Sequence, residues 1–197
     1  MKNTFTIAAL LAIALVFMSN RSGRTTIFGT PASGAPGENG QTCGSFGCHS
    51  SGAFSPEALL TLTDGDGNEV ANYVPGQTYT VALNIATMGS PAGFGFQMVS
   101  LKDSDETGVN TFSNIPEKAQ EVIALDRQYI EQSTIITTNN ILVDWTAPDA
   151  GTGNVTFYAI ANAVNAAMGS GGDGVAQTNL TIPEDIGSSS DELTIQD

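Results

Sequence analysis

From Ala58 onward, apolar and polar residues alternate with a period of two, and that period commits the chain to β structure. Tyr79, Val81, Leu83 and Ile85 fall on one side of a run whose other side is Thr78, Thr80, Ala82 and Asn84. Successive side chains of a strand point to opposite faces, so this run reads as a strand with one buried and one wet face. Phe94, Phe96 and Met98 share a side in the next run, with Gln97 and Val99 alternating, which gives that strand aromatic core weight. Further strands are predicted from Ile141 to Trp145, Val155 to Ala163 and Gln177 to Ile182. Short strands separated by Gly, Pro, Asn and Asp at such intervals predict an all-β fold, a single Ig-like antiparallel β-sandwich. No repeat of about 20–50 residues stands out, which disfavours solenoids and propellers.

Two local readings qualify that pattern. Ala58 to Thr63, then Asp64-Gly65-Asp66-Gly67-Asn68, then Glu69 and Val70 reads as a hairpin with a well-specified turn. The same acidic string resembles the start of a calcium loop, but Glu69 stands where Gly is needed and Pro75 where a carboxylate is needed. No calcium is therefore expected. Between Pro116 and Arg127, Glu117, Lys118, Ala119, Gln120, Glu121 and Ala124 are good helix formers, and this is the one place after the leader where a short helix could fit.

Lys2 precedes an unbroken apolar run of twelve residues, Ile7 to Met18. That length suits an export signal and falls short of the roughly 20 residues needed to span a bilayer. No small-x-small pair follows directly, so an uncleaved N-terminal anchor stays open, as the chain's one route to a membrane. Four segments are expected: a signal peptide or anchor at 1–23, a Gly/Pro/Ser-rich segment at 24–57, the sandwich at 58–182, and a polar, loose tail at 183–197. Residues 19–42 contain Thr30-Pro31-Ala32-Ser33-Gly34-Ala35-Pro36-Gly37-Glu38, and no regular element is expected in that stretch. The formal charge is −14, and from residue 25 onward there are 3 basic against 20 acidic side chains. Nucleic-acid binding is discounted, because binding a phosphate backbone depends on Lys and Arg displacing counterions. Asn154-Val155-Thr156 and Asn179-Leu180-Thr181 match the glycosylation sequon and are given no role.

The chain's two cysteines and one histidine all fall within Cys43-Gly44-Ser45-Phe46-Gly47-Cys48-His49. A c-type haem is held when two thiols add to the porphyrin vinyl groups and an adjacent imidazole ligates the iron. The string resembles the longer-spaced haem-attachment motif of some multihaem cytochromes c, which implies covalent haem c on Cys43 and Cys48 with His49 as the iron ligand. The sixth ligand would be Met88, Met98 or Met168, or none, and Met98 also reads as core filler. The alternative is a Cys43–Cys48 disulfide, which closes a short loop and contributes roughly 2 kcal/mol. A zinc site needs about four ligands and the string supplies three, so zinc is not predicted. A Cys nucleophile activated by His49 is weaker again, because neighbouring side chains diverge.

Several strings in order resemble the bacterial choice-of-anchor V domain proteins, which are exported Reeler-like β-sandwiches, over roughly residues 31 to 182. They are Gly34-Ala35-Pro36-Gly37-Glu38 leading into the Cys/His cluster, Tyr73-Val74-Pro75-Gly76-Gln77-Thr78-Tyr79, Gly93-Phe94-Gly95-Phe96-Gln97, Trp145-Thr146-Ala147-Pro148, and Ala163-Val164-Asn165 with Gly172-Asp173 downstream. The resemblance implies a Reeler-like sandwich that is extracellular, cell-surface or periplasmic, attached in many members by a C-terminal sorting segment. No such segment is recognised before Asp197. Two functions follow as expectations. One is an electron carrier or redox sensor with one haem and a redox partner. The other is a non-catalytic surface, matrix or adhesion-type protein, with a cell-surface partner and no cofactor.

Overall fold

The computed structural model describes residues 22–45, 49, 52, 54–167 and 171–186. The apolar run Ile7 to Met18, Cys48, Met168 and the serines of the tail lie outside the described residues. No described helix is long and apolar enough to cross a membrane.

Two antiparallel sheets face each other. One holds β1 (Glu57–Thr63), β2 (Thr78–Ala86), β7 (Asn140–Thr146) and β4 (Phe112–Ser113), in the order β1-β2-β7-β4. The other holds β5 (Ala119–Ala124), β6 (Arg127–Gln132), β3 (Gly93–Lys102), β8 (Val155–Val164) and β9 (Gly174–Ile182), in the order β5-β6-β3-β8-β9. This is the all-β sandwich that the alternation implied. The alternating residues of β2 meet those of β7 in the core, with Tyr79 opposite Trp145 and Val81 opposite Val143. Trp145 is fully buried, 4.9 Å from Phe157 and 5.7 Å from Tyr73, both edge-on. Edge-to-face aromatic contacts add to what the buried area contributes. The Tyr73 hydroxyl donates to Gly153 O at 2.6 Å, and burial pushes its phenol up to about 12, aided by the charge of Glu184.

Four local expectations are corrected. Residues Ala119–Ala124 are strand, not helix, paired with β6 from Ala119↔Gln132 to Ala124↔Arg127. The helix formers there are outweighed by pairing: Leu125 and Asp126 both take positive φ, 52° and 58°, and form the tight turn that returns the chain along β5. Second, the 19–42 stretch contains a helix, α1 (Arg24–Phe28). Gly23 gives it no side-chain cap. The Glu131 carboxylate does so instead, accepting the N–H groups of Thr25 and Thr26 at 3.0 and 2.9 Å. A Cβ on residue 23 would lie 2.1 Å from Glu131 Cδ, so this cap requires glycine. Third, the turn at Asp64 forms as read, with its carboxylate accepting from Asp66 and Asn68 N–H. Its return arm, however, is the single bridge Thr63↔Glu69, and β1 finds its long partner in β2. Fourth, residues 183–186 are tied down. Tyr73 N–H donates to Pro183 O, Asp185 N–H donates to Tyr73 O, and Glu184 accepts from Gly151 and Gly153 N–H.

β3 is buried on both faces. Phe94, Phe96 and Met98 enter the core between the sheets, while Val99 and Leu101 meet Tyr129 and Ala35 on the opposite side. That second face is covered because residues 22–45 lie across the outside of the five-stranded sheet.

Candidate functional site

The Cys/His segment is positioned by this N-terminal strap, and the strap is held by polar groups that the sheet presents outward. Gln97 and Glu131 are paired across β3 and β6, so their side chains leave the same face. Gln97 Nε2 donates to Glu131 Oε2 at 2.8 Å and to Thr25 Oγ1 at 2.6 Å, and Gln97 Oε1 accepts from Ala32 N–H at 2.6 Å. Beyond this pin, Ser33 bridges to Thr42 and closes a loop around the buried Glu38. Glu38 accepts from the Ser33 hydroxyl at 2.7 Å and from Gly34 N–H at 2.8 Å. Arg127 clamps the same loop by donating to Pro36 O at 2.6 Å. Beneath it, burial and then the Glu38 charge hold the Tyr129 phenol well above its ordinary range.

Thr42 to Ser45 then form a turn, with Ser45 N–H donating to Thr42 O and Thr42 N–H donating to Ser45 Oγ. Cys43 occupies this turn, half-buried, with Sγ 3.9 Å from Ala32 O. Gly44 rests on Val175 of β9. His49 is anchored at the start of the same strand: its Nδ1 lies 2.8 Å from Asp173 Oδ2. The Asp173 side chain is 4% exposed and that of His49 28%. Asp173 Oδ1 accepts from Asn165 N–H, and Gly52 N–H donates to Asp173 O. Gly52 itself lies so close to the backbone that a Cβ would be 2.1 Å from Gly172 O. Facing a carboxylate oxygen, Nδ1 is the donor in this contact.

The strap thus brings Cys43 and His49 to the β9 side of the five-stranded sheet, and Cys48 lies outside the described residues. Of the methionines weighed as a sixth ligand, Met98 is buried between the sheets, on the face of β3 turned away from the strap, where it packs as core. Met88 is 69% exposed in the loop between β2 and β3. Among the described residues, no group of three or more His, Cys, Asp and Glu side chains is placed to hold a metal ion. Asp173 is the partner that reasoning from the sequence missed. It lies 124 positions from His49, and the only signal was its place in a string that resembled a family.

A sequence model of the Reeler domain matches residues 66–164. The match begins after His49 and ends before Asp173, so it covers β2 to β8 and leaves β1, β9 and the Cys/His site outside it. Over 93 residues the chain is 37% identical to Spondin-1 of Gallus gallus, covering 44% of this chain and 11% of that protein. The chain therefore spans about a tenth of that relative's length. Among solved structures, the human F-spondin reeler domain is 23% identical, with a TM-score of 0.45 and coverage of 71% of this chain and 95% of that one. The Reelin-N domain of F-spondin is 25% identical, with a TM-score of 0.45 and coverage of 72% and 94%.

Proposed function

This chain belongs to the Reeler domain family, and from that membership we propose that it works outside the cytoplasm as a non-catalytic surface or matrix sandwich. The observation that supports this reading is the Reeler match across residues 66–164, which runs from the Asp64 turn to the end of β8. In this account Cys43 and Cys48 form a disulfide, and the Cys/His segment is a clamp that holds the strap to β9 beside the His49–Asp173 contact. Such a clamp suits an oxidising compartment, where a structural disulfide persists. Expressing the full chain with a C-terminal tag and fractionating the cells tests the location. Tagged protein outside the cytoplasm, open to added protease on intact cells or released to the medium, is expected; retention in the cytosol would overturn the proposal.

A second reading is favoured by one observation. A metal-ligating histidine commonly donates its other ring nitrogen to a carboxylate, which fixes the ring and raises the basicity of the ligand. His49 Nδ1 donates to Asp173 Oδ2 in this way, and Nε2 would be the atom to meet an iron. With haem c attached through Cys43 and Cys48, the chain would be an exported electron carrier or redox sensor. An absorbance spectrum of protein made in a host with cytochrome c maturation separates the two readings, since a colourless product removes this one.

A further inference from the structure

Beside Pro36, on the outer face of the five-stranded sheet, lies an open groove of about 280 Å³. It is lined by Leu101 of β3, Tyr158 of β8, and Lys102, Asp103, Asn179 and Thr181. The wall formed by the loop after β3 is preformed. Lys102 N–H donates to Thr107 O, Glu106 N–H donates to Lys102 O, and Asp105 accepts from both the N–H and the hydroxyl of Thr107. Arg127 Nη2 holds the carbonyl of Glu106 at 2.8 Å. Asp103 is itself set by the Thr156 hydroxyl at 2.6 Å, and Thr156 meets the Thr181 hydroxyl at 2.7 Å. The side-chain amide of Asn179 makes no hydrogen bond to any described residue.

Each chemical class of ligand can be weighed against these groups. Two carboxylates, Asp103 and Glu106, and a chain charge of −14 oppose an anion. Among the described residues no group of three or more His, Cys, Asp and Glu side chains is placed to hold a metal ion, and the Lys102 ammonium shares the groove, so a bare metal ion is not favoured. The volume lies at the lower end of small-molecule sites, about 300 Å³, so it suits one ring-sized unit. What remains is the Tyr158 ring set among hydroxyl, amide and carboxylate groups. That combination recognises a sugar ring, whose C–H faces pack on an aromatic surface and whose hydroxyls both donate and accept. Because the wall is ordered before any ligand arrives, little ordering cost opposes binding. We propose that this groove binds one unit of a neutral saccharide, with Tyr158 as the stacking surface and Asn179, Asp103 and Thr181 as the polar contacts. The proposal stands on the groove and does not depend on the cysteines' state or on the compartment.

The test is a backbone-amide NMR titration of the full chain with three separate probes, cellotriose, maltotriose and chitotriose, each up to about 10 mM, the range for weak single-site recognition. At least one probe is expected to shift amides around Tyr158, Asn179 and Lys102 in a saturable way. Tyr158→Ala should weaken that probe about tenfold. Asn179→Ala, at an exposed position that leaves folding intact, should weaken it about fivefold. Silence from all three probes, shifts scattered over the surface, or equal binding by Asn179→Ala would overturn the proposal. So would binding of a sulfated trisaccharide where the neutral ones fail.

Discussion

Replacing Glu131 by alanine tests the account of how the strap is held. Glu131 is fully buried. It accepts from Thr25 N–H, Thr26 N–H, the Thr26 hydroxyl and the side-chain amides of Gln97 and Gln120. Thr25 N–H and Gln97 Nε2 are buried donors that no water would satisfy once the carboxylate is removed. A hydrogen bond to a charged group contributes about 1.5–3 kcal/mol, and an orphaned buried donor costs the desolvation of that group. Two such donors set the expected loss at about 3–5 kcal/mol, with the three partly exposed donors re-solvating at little cost. At a urea slope of about 2 kcal/mol/M the unfolding midpoint falls by roughly 2 M. If the strap detaches without unfolding the sandwich, the same loss appears instead as fast amide exchange at Thr25, Thr26 and Ala32, with the β3 and β8 amides still protected. Glu131→Gln, which keeps one acceptor oxygen, should fall between the variant and the parent. A midpoint within about 0.5 M of the parent, together with unchanged exchange at those three amides, would refute the reasoning.

Glu184 is held below the usual carboxylate range by the N–H of Gly151 and then of Gly153. Its contribution is therefore present above the ordinary value of 4.5 and is lost as the pH falls through the lower, folded value. Thermal melts should show Glu184→Gln less stable than the parent at neutral pH, with the gap closing on acidification, and a gap that widens in acid would contradict this. In the β5–β6 turn, where both central residues have positive φ, the double substitution Leu125→Asn and Asp126→Gly should raise stability by about 0.5–1 kcal/mol in urea titrations. Asp173→Ala should free the His49 ring, read as faster modification by diethylpyrocarbonate, while Asp173→Asn should retain part of the protection.

The strands that were legible are those whose burial follows their own sequence. Tyr79, Val81, Leu83 and Ile85 point into one core, so their period of two survives in the fold. β6 was illegible for the opposite reason. Arg127, Gln128 and Glu131 are buried in it, and what makes that tolerable is the strap, whose backbone groups and hydroxyls satisfy Arg127 and Glu131 from about 100 residues earlier in the chain. β5 was hidden by residues whose helical preference is overridden by pairing with that strand. At the candidate site the crowding of Cys43, Cys48 and His49 was plain from their spacing. Asp173 was not, because the contact is made just before the start of β9 and nothing near His49 in the sequence foretells it. The groove on the outer face was equally invisible, since Asp103, Tyr158 and Asn179 come from three different segments.

The central claim is that the Cys/His segment is a structural clamp on a Reeler sandwich, and the intact mass of the full chain, purified without reductant from a host that can attach haem, tests it most directly. A colourless protein lighter by two hydrogens than its reduced form, with Cys43 and Cys48 joined in one peptide, is the expected result. A coloured product carrying the added mass of a porphyrin on those two residues would contradict it.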